Sequence, residues 1–216
     1  MLANPTLPLL FVFSFVVALG AVITPGPVTT AIVSESARRG FIVGPLVATG
    51  HSLLELIMVG LLALGLSAGL NTPAITAAIA VFGGALLLWM GVSMAYGAYV
   101  GRIALPQPGA QATLLSNWQL IGLGVGATLI NPFWYAWWVT VAATYVASAQ
   151  ALGAAGVLAF YIGHISADYA WDSVLSGAIG RGRRWISDGA YKLLIIACGL
   201  YLVYLGVVFV ASAFSR

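Results

Sequence analysis

The chain has 216 residues, 62% of them hydrophobic and 6% charged, where a soluble domain carries roughly 25% charged side chains; an ordinary water-soluble globular protein is excluded. Its 8 Lys+Arg against 5 Asp+Glu leave a net +3, without the clustered basic face that nucleic-acid binding needs. The one cysteine, Cys198, rules out an internal disulfide framework, and no Cys/His spacing suits zinc.

A bilayer-spanning helix takes about 20 apolar residues, so the chain has room for roughly five to seven passes. The first apolar run starts at Leu7 and lacks a basic leader and a small-residue cleavage site, so it reads as a retained helix. It breaks at Thr24-Pro25-Gly26-Pro27, where proline removes backbone donors, and resumes to Ser36. The second segment runs from about Phe41 to Leu66 and the third from Pro73 to Val100, with Asn71-Thr72 as caps and proline in the first turn. The fourth covers Trp118 to Val146 and is interrupted at Asn131-Pro132; the fifth is Leu152 to Ser176 and the sixth Tyr191 to Ala213. The expected fold class is an all-α integral membrane protein of six transmembrane helices, with helices one and four broken. It forms one membrane domain, residues 1–216, with no appended soluble unit, since the loop 101–117 contains Pro106 and Pro108 but no core-forming pattern.

Arg38, Arg39, Arg102, Arg181, Arg183, Arg184 and Lys192 all fall in odd-numbered loops, with Arg216 the exception. By the positive-inside rule those loops are cytoplasmic and both termini lie outside. Glu35 beside Arg38 and Arg39 reads as a solvated interfacial pair.

Slid against itself, the sequence repeats. Gly20-Ala21 followed by Thr24-Pro25 matches Gly126-Ala127 followed by Asn131-Pro132. Gly40, Gly50, His51 and Glu55 match Gly153, Gly163, His164 and Asp168 without a gap. The stretch from Gly84 to Gly91, with Trp89, matches that from Gly199 to Gly206, with Tyr204. Residues 7–100 and 118–213 are therefore expected to be two copies of three helices each, joined by the loop 101–117. Three spans per copy is an odd number, so the copies are inverted, as in secondary transporters.

His51 and Glu55 share a helix face, roughly 15 to 20 Å from the cytoplasmic end, near the bilayer centre. Gly40, Gly44, His51 and Glu55 fall within an arc of about 60°, and Gly153, His164, Asp168 and Asp172 within about 100°. Ionisable groups at that depth are costly unless they meet partners or a water-filled cavity, so both stripes are expected to face inward. Glu55, Asp168, His51 and His164 are the candidate proton-coupling residues, histidine being the side chain that changes charge near neutral pH; simple pairing that holds helices together is the alternative. Asp172 reads as a vestibule group or a partner for Arg181 to Arg184. The breaks, Thr24, Pro25, Gly26, Pro27, Asn131 and Pro132, free carbonyls and amides and are the candidate substrate-binding residues. Thr29, Thr30 and Thr128 flank them, although threonine in such helices usually bonds its own backbone. Trp134, Tyr135, Trp137 and Trp138 follow the second break; Trp137 and Trp138 suit the outer interfacial belt, with a pocket wall as the alternative. No Gly-x-x-x-x-Gly-Lys-Ser/Thr sequence binds nucleotide and no nucleophile motif stands out, so an enzyme is not expected.

Together the Thr24-Pro25-Gly26-Pro27 break, the glycines Gly40, Gly44 and Gly50, the Leu88-Trp89-Met90-Gly91 stretch and Asn131-Pro132 resemble the LysE/RhtB family of bacterial and archaeal amino-acid exporters, within the LysE superfamily. The resemblance covers nearly the whole chain. It implies six helices in two inverted halves, a prokaryotic cytoplasmic-membrane location, and export of amino acids or related metabolites driven by the proton gradient. No cofactor is implied beyond that gradient; the partners are a small-molecule substrate and the lipid bilayer, with a homodimer as one assembly open to it. Many relatives carry lysine directly after Asn-Pro, where this chain has Phe133. The paired histidine and acid of both halves also resemble a metal-ligand set, and a divalent-metal transporter using His51, Glu55, His164 and Asp168 is the alternative function. A packing scaffold with no transport role is the reading from a different class.

Overall fold

The computed structural model describes residues 6–65, 73–102, 114–182 and 187–214. All regular elements among these residues are helical. Helix α1 (Leu7–Val22) opens where the Thr6 hydroxyl accepts the Leu9 amide at 3.4 Å and Pro8 occupies the first turn. It stops before Thr24-Pro25, and α2 (Pro27–Arg39) restarts with Gly26 as its N-cap and Pro27 in its first turn. A 3-10 turn, Gly40–Ile42, leads into α3 (Val43–Ala63). Helix α4 is Pro73–Tyr99. Helix α5 (Asn117–Leu129) begins with a capping box between Ser116 and Gln119. After the second break come α6 (Pro132–Trp137), a π-helical segment Trp138–Ala142 and α7 (Ala143–Gln150). Helices α8 (Gly153–Gly182) and α9 (Asp188–Phe214) complete the chain.

Among the described residues, three stretches are long and apolar enough to cross a membrane: Pro27–Ala63, Ala80–Tyr99 and Asp188–Ala211. Helix α8 has the length but carries His164, Asp168 and Asp172 in its middle, and the fourth segment has its length divided by Asn131-Pro132. Both therefore lose apolarity or continuity for the same reason: they bring polar groups into the interior. The fifth segment also runs to Gly182 instead of Ser176, because its last turns pack on the 3-10 turn. The Ser176 hydroxyl donates to the Phe41 carbonyl at 2.8 Å, and a Cβ on Gly180 would lie 2.6 Å from the Gly40 Cα. The Asn71-Thr72 cap, Pro106, Pro108, Arg183, Arg184 and Arg216 lie outside the described residues.

Glycine sets how the helices meet. Helices α4 and α9 pack antiparallel along their lengths. A Cβ on Gly84 would lie 2.8 Å from the Gly206 carbonyl and one on Gly206 2.8 Å from the Gly84 carbonyl; Gly91 and Gly199 face each other in the same reciprocal way, at 2.5 and 2.7 Å. Helix α1 lies on α8 and α3 on α5. The matched glycines make these two contacts: a Cβ on Gly163 would overlap the Phe11 carbonyl, and one on Gly50 the Ile121 carbonyl. Gly44 meets the Asp172 carbonyl, where α3 crosses α8. Removing Cβ lets backbones approach to the distance at which dispersion and weak Cα–H···O contacts act, in a solvent where burial of apolar surface between helices contributes little.

Gly40 and Gly153, matched in the sequence, both have positive φ, 70° and 66°. Gly40 combines this with ψ −149°, a region open essentially to glycine alone. Gly40→Ala is expected to destabilise the protein by about 1–3 kcal/mol, read as a lower thermal-unfolding midpoint in detergent. Gly20→Ala, in open space on α1 with helical backbone, should leave the midpoint unchanged or raise it.

Arg39 does not pair with Glu35. Its guanidinium reaches the Leu115 carbonyl and the Asn117 side-chain oxygen, the latter at 2.9 Å, tying the end of α2 to the start of α5. At the opposite end the Gln150 amide donates to the Ala63 carbonyl at 2.6 Å.

Candidate functional site

The two inward stripes meet. Midway along α3, His51 and Glu55 are 8% and 1% exposed; on α8, His164 and Asp168 are 4% and 2% exposed. Glu55 lies at the centre: its Oε1 is 3.1 Å from Nε2 of His51 and 3.1 Å from Nε2 of His164. Asp168 Oδ2 is 3.8 Å from His164 Nε2. The spacing of four residues places each histidine over its own acid, and the α3–α8 crossing brings the two pairs together. Tyr161, whose hydroxyl donates to the Ser52 carbonyl at 2.9 Å, and Tyr169, 2.8 Å from Thr49 Oγ1, hold that crossing in register.

Hydrogen-bond bookkeeping restricts the protons. Thr128 Oγ1 donates its single hydrogen to the Gly124 carbonyl at 2.7 Å, so the 2.7 Å contact with His51 Nδ1 has the imidazole N–H as donor. With Nδ1 carrying a proton, the His51 Nε2 and Glu55 Oε1 contact closes only with one proton between them, as imidazolium and carboxylate or as imidazole and carboxylic acid. Glu55 Oε2, His164 Nδ1 and Asp168 Oδ2 are buried with no hydrogen-bond partner in the protein. The cluster thus holds a shared proton beside open acceptor positions, and buried polar atoms of this kind are uncommon outside functional sites.

The cluster opens on a cavity lined on its polar side by His51, Glu55, His164, Asp168 and Asp172. Both helix breaks reach it: Thr24, Pro25 and Gly26 from the first, Asn131 and Phe133 from the second. The breaks adjoin, since Asn131 Nδ2 lies 3.6 Å from where a Gly26 Cβ would be. Pro27 is buried in the first turn of α2 and sets the break without lining the cavity, and Pro132 begins α6. The second helix start is capped by its own chain: Asn131 Oδ1 accepts the Phe133 amide at 3.1 Å and the Asn131 carbonyl the Trp134 amide at 3.2 Å. The start of α2 has no side-chain cap.

Trp137 and Trp138 depart from the first of the two readings the sequence offered, and Asp172 from pairing with the arginines. Trp138 is fully buried and Trp137 lines the cavity, neither being in an interfacial belt; their rings lie 5.2 and 4.8 Å from the His164 ring. Trp137 ends α6 and Trp138 opens the π-helical segment, an irregularity that nothing in the local sequence signals. Asp172 is 1% exposed and belongs to the cavity wall, while Arg181 is exposed at the end of α8. Thr128 bonds its own backbone, as expected, and also holds His51; Thr29 lines the cavity, and Thr30 donates to the Gly26 carbonyl at 2.9 Å.

A family model described as LysE type translocator matches residues 3–213. No curated protein and no solved structure matches the chain.

Proposed function

The chain belongs to the LysE type translocator family and is a membrane-integral transporter of small molecules; from that premise we propose that it exports amino acids or related metabolites by proton antiport. The single observation that carries the reading is Glu55 held between two histidines on the wall of a cavity that both helix breaks enter. A proton entering from the outer side occupies the cluster, and its release to the cytoplasm resets Glu55 between the two imidazoles. Thr24, Pro25, Gly26 and Asn131 offer backbone and amide groups to the substrate, and His51, Glu55, His164 and Asp168 exchange the proton. The gradient is the coupling source and no cofactor takes part.

The architecture that serves this is one membrane domain of six spans in two inverted repeats, 7–100 and 118–213, joined by 101–117. The reciprocal pairs Gly84 with Gly206 and Gly91 with Gly199 support it, because exchanging the two halves maps one pair onto the other. The α1–α8 and α3–α5 contacts are related in the same manner. The odd-numbered loops face the cytoplasm, the termini lie outside and the membrane is a prokaryotic cytoplasmic membrane; pairing of two copies through the lipid-facing helices is open to this shape.

The test is flux of radiolabelled amino acids from proteoliposomes under an imposed pH gradient, preceded by a thermal-shift screen in nanodiscs, where a ligand of the native state raises the midpoint. Gradient-dependent flux is expected, and its absence for every compound that binds would overturn the reading. Thr128→Val should lower such flux about tenfold, by releasing the His51 ring, with Thr128→Ser restoring it. One observation favours a second reading: ligand atoms of His51, Glu55 and Asp168 lie within 4.8 Å of one another, a spacing that suits a divalent cation as cargo, with His164 adjacent. A shift with zinc or manganese alone, lost in His51→Ala, would favour it.

A further inference from the structure

Resting on the export reading, we propose that Asp172 binds the ammonium group of the transported molecule, and that the site selects a protonated amine on a largely apolar body without requiring a carboxylate. Three carboxyl groups line the cavity, and they differ in what faces them. Glu55 has both histidines and Asp168 has His164 at 3.8 Å. Asp172 has no ion pair: among the described residues no Lys, Arg or His lies within salt-bridge distance of it, and His51, already held by Glu55 and Thr128, acts on it only from farther away, although Asp172 is 1% exposed and its Oδ2 has no hydrogen-bond partner. Ser176, one turn further along its helix, sends its proton to the carbonyls of Phe41 and Ser173. Gly44 packs on the Asp172 carbonyl and holds this turn of α8 against α3.

A buried carboxylate without a counter-charge is costly, and the cost is recovered when a ligand brings the charge. Asp172 has no counterpart in the first half of the chain, where the matching position is Val59. It is therefore separable from the proton-exchanging pairs, which both halves share. The rest of the wall indicates the body of the ligand. Leu87, Leu202 and Leu205 give it an apolar side, and Trp134 and Trp137 add ring faces that attract an organic cation as well as apolar surface.

No Lys or Arg lines the cavity among the described residues, so no fixed positive side chain holds a carboxylate. Of the two helix starts that could do so by dipole and free amides, the one at Pro132 is closed by Asn131. The start of α2 is uncapped and accepts a carboxylate where one is present. An amino acid therefore fits, but the charge that the site must receive is the ammonium.

Three probes of one shape separate these contributions: phenylalanine, 2-phenylethylamine and 3-phenylpropionate, measured by thermal shift and tryptophan fluorescence on the full chain in nanodiscs. The two amines are expected to bind within about tenfold of each other and the acid at least tenfold more weakly. Asp172→Asn should weaken both amines by at least about tenfold, with an unliganded midpoint no lower than wild type, since it removes a charge that nothing in the protein pairs. Equal binding of the acid, or unchanged amine binding in Asp172→Asn, would overturn the proposal. So would a response to zinc or manganese with none to any amine. If none of the three binds while proteoliposomes still export an amino acid under a pH gradient, the amine assignment falls and export stands. If the amines bind through Asp172 and nothing is exported, export falls and Asp172 remains an amine site.

Discussion

Glu55→Gln is expected to reduce gradient-driven export by about a hundredfold or more while leaving the folded protein and substrate binding in place. The amide has the size of the carboxyl, and its NH₂, placed where Oε1 stands, can donate one hydrogen to each imidazole Nε2, so neither His51 nor His164 loses its neighbour. What it cannot do is take up and release a proton. Glu55→Ala is a poorer test, because it strips both buried histidines of their partner, a change that typically costs about 3–5 kcal/mol. The discriminating measurement is flux in proteoliposomes with and without a pH gradient, at matched protein incorporation. In the glutamine variant, substrate exchange across the membrane without a gradient should persist and concentrative transport should be absent. Wild-type concentrative transport in this variant would remove Glu55 from the coupling step and return the cluster to a structural role.

Gly50→Leu is expected to prevent assembly of the native bundle. A Cβ at Gly50 overlaps the Ile121 carbonyl and approaches the Val125 amide to 2.8 Å, and from the other side Gly124 meets the Val47 carbonyl. The obstructing atoms are backbone on an adjacent helix, so no rotamer change relieves the clash and α3 and α5 must separate. Overpacking that flexible neighbours can absorb costs about 1–3 kcal/mol, and this case should exceed that range. The same separation pulls Thr128 away from His51, so any surviving protein should also be inactive. Gly60→Leu, nearly three turns away on the same helix and facing open space, is the control and should be near neutral. Thermal unfolding and size-exclusion profiles of the two variants in one detergent check the contrast; equal profiles would show that the α3–α5 contact tolerates separation.

How much of this was legible in the sequence varies with the range of the interactions involved. The breaks at Thr24-Pro25-Gly26-Pro27 and Asn131-Pro132 were readable because proline acts on its own backbone, whatever surrounds it. The stripes of His51 with Glu55 and His164 with Asp168 were readable because helical periodicity places residues four apart on one face, and because charge at that depth has to point inward. Trp138 was misplaced because its sequence suits an interfacial aromatic, whereas in the fold it opens a π-helical segment and lies 5.2 Å from the His164 ring. Glu35 was assigned to neighbouring arginines, whereas Arg39 found partners in the Leu115 carbonyl just before α5 and the Asn117 side chain at its start.

The sequence by itself determined an all-helical membrane protein, the positions of its helix breaks, and which residues had to be buried, since all of these follow from local backbone chemistry and from apolar periodicity. The tertiary structure alone decided that Glu55 stands between both histidines, that Thr128 orients His51 and that Asp172 is left without a salt-bridge partner among the described residues. These depend on helix registers linking residues as far as 109 positions apart in the chain, as Glu55 and His164 are, and such registers are set by backbone contact at Gly44, Gly50, Gly124 and Gly163, where the packing of one helix selects which turn of the next it meets.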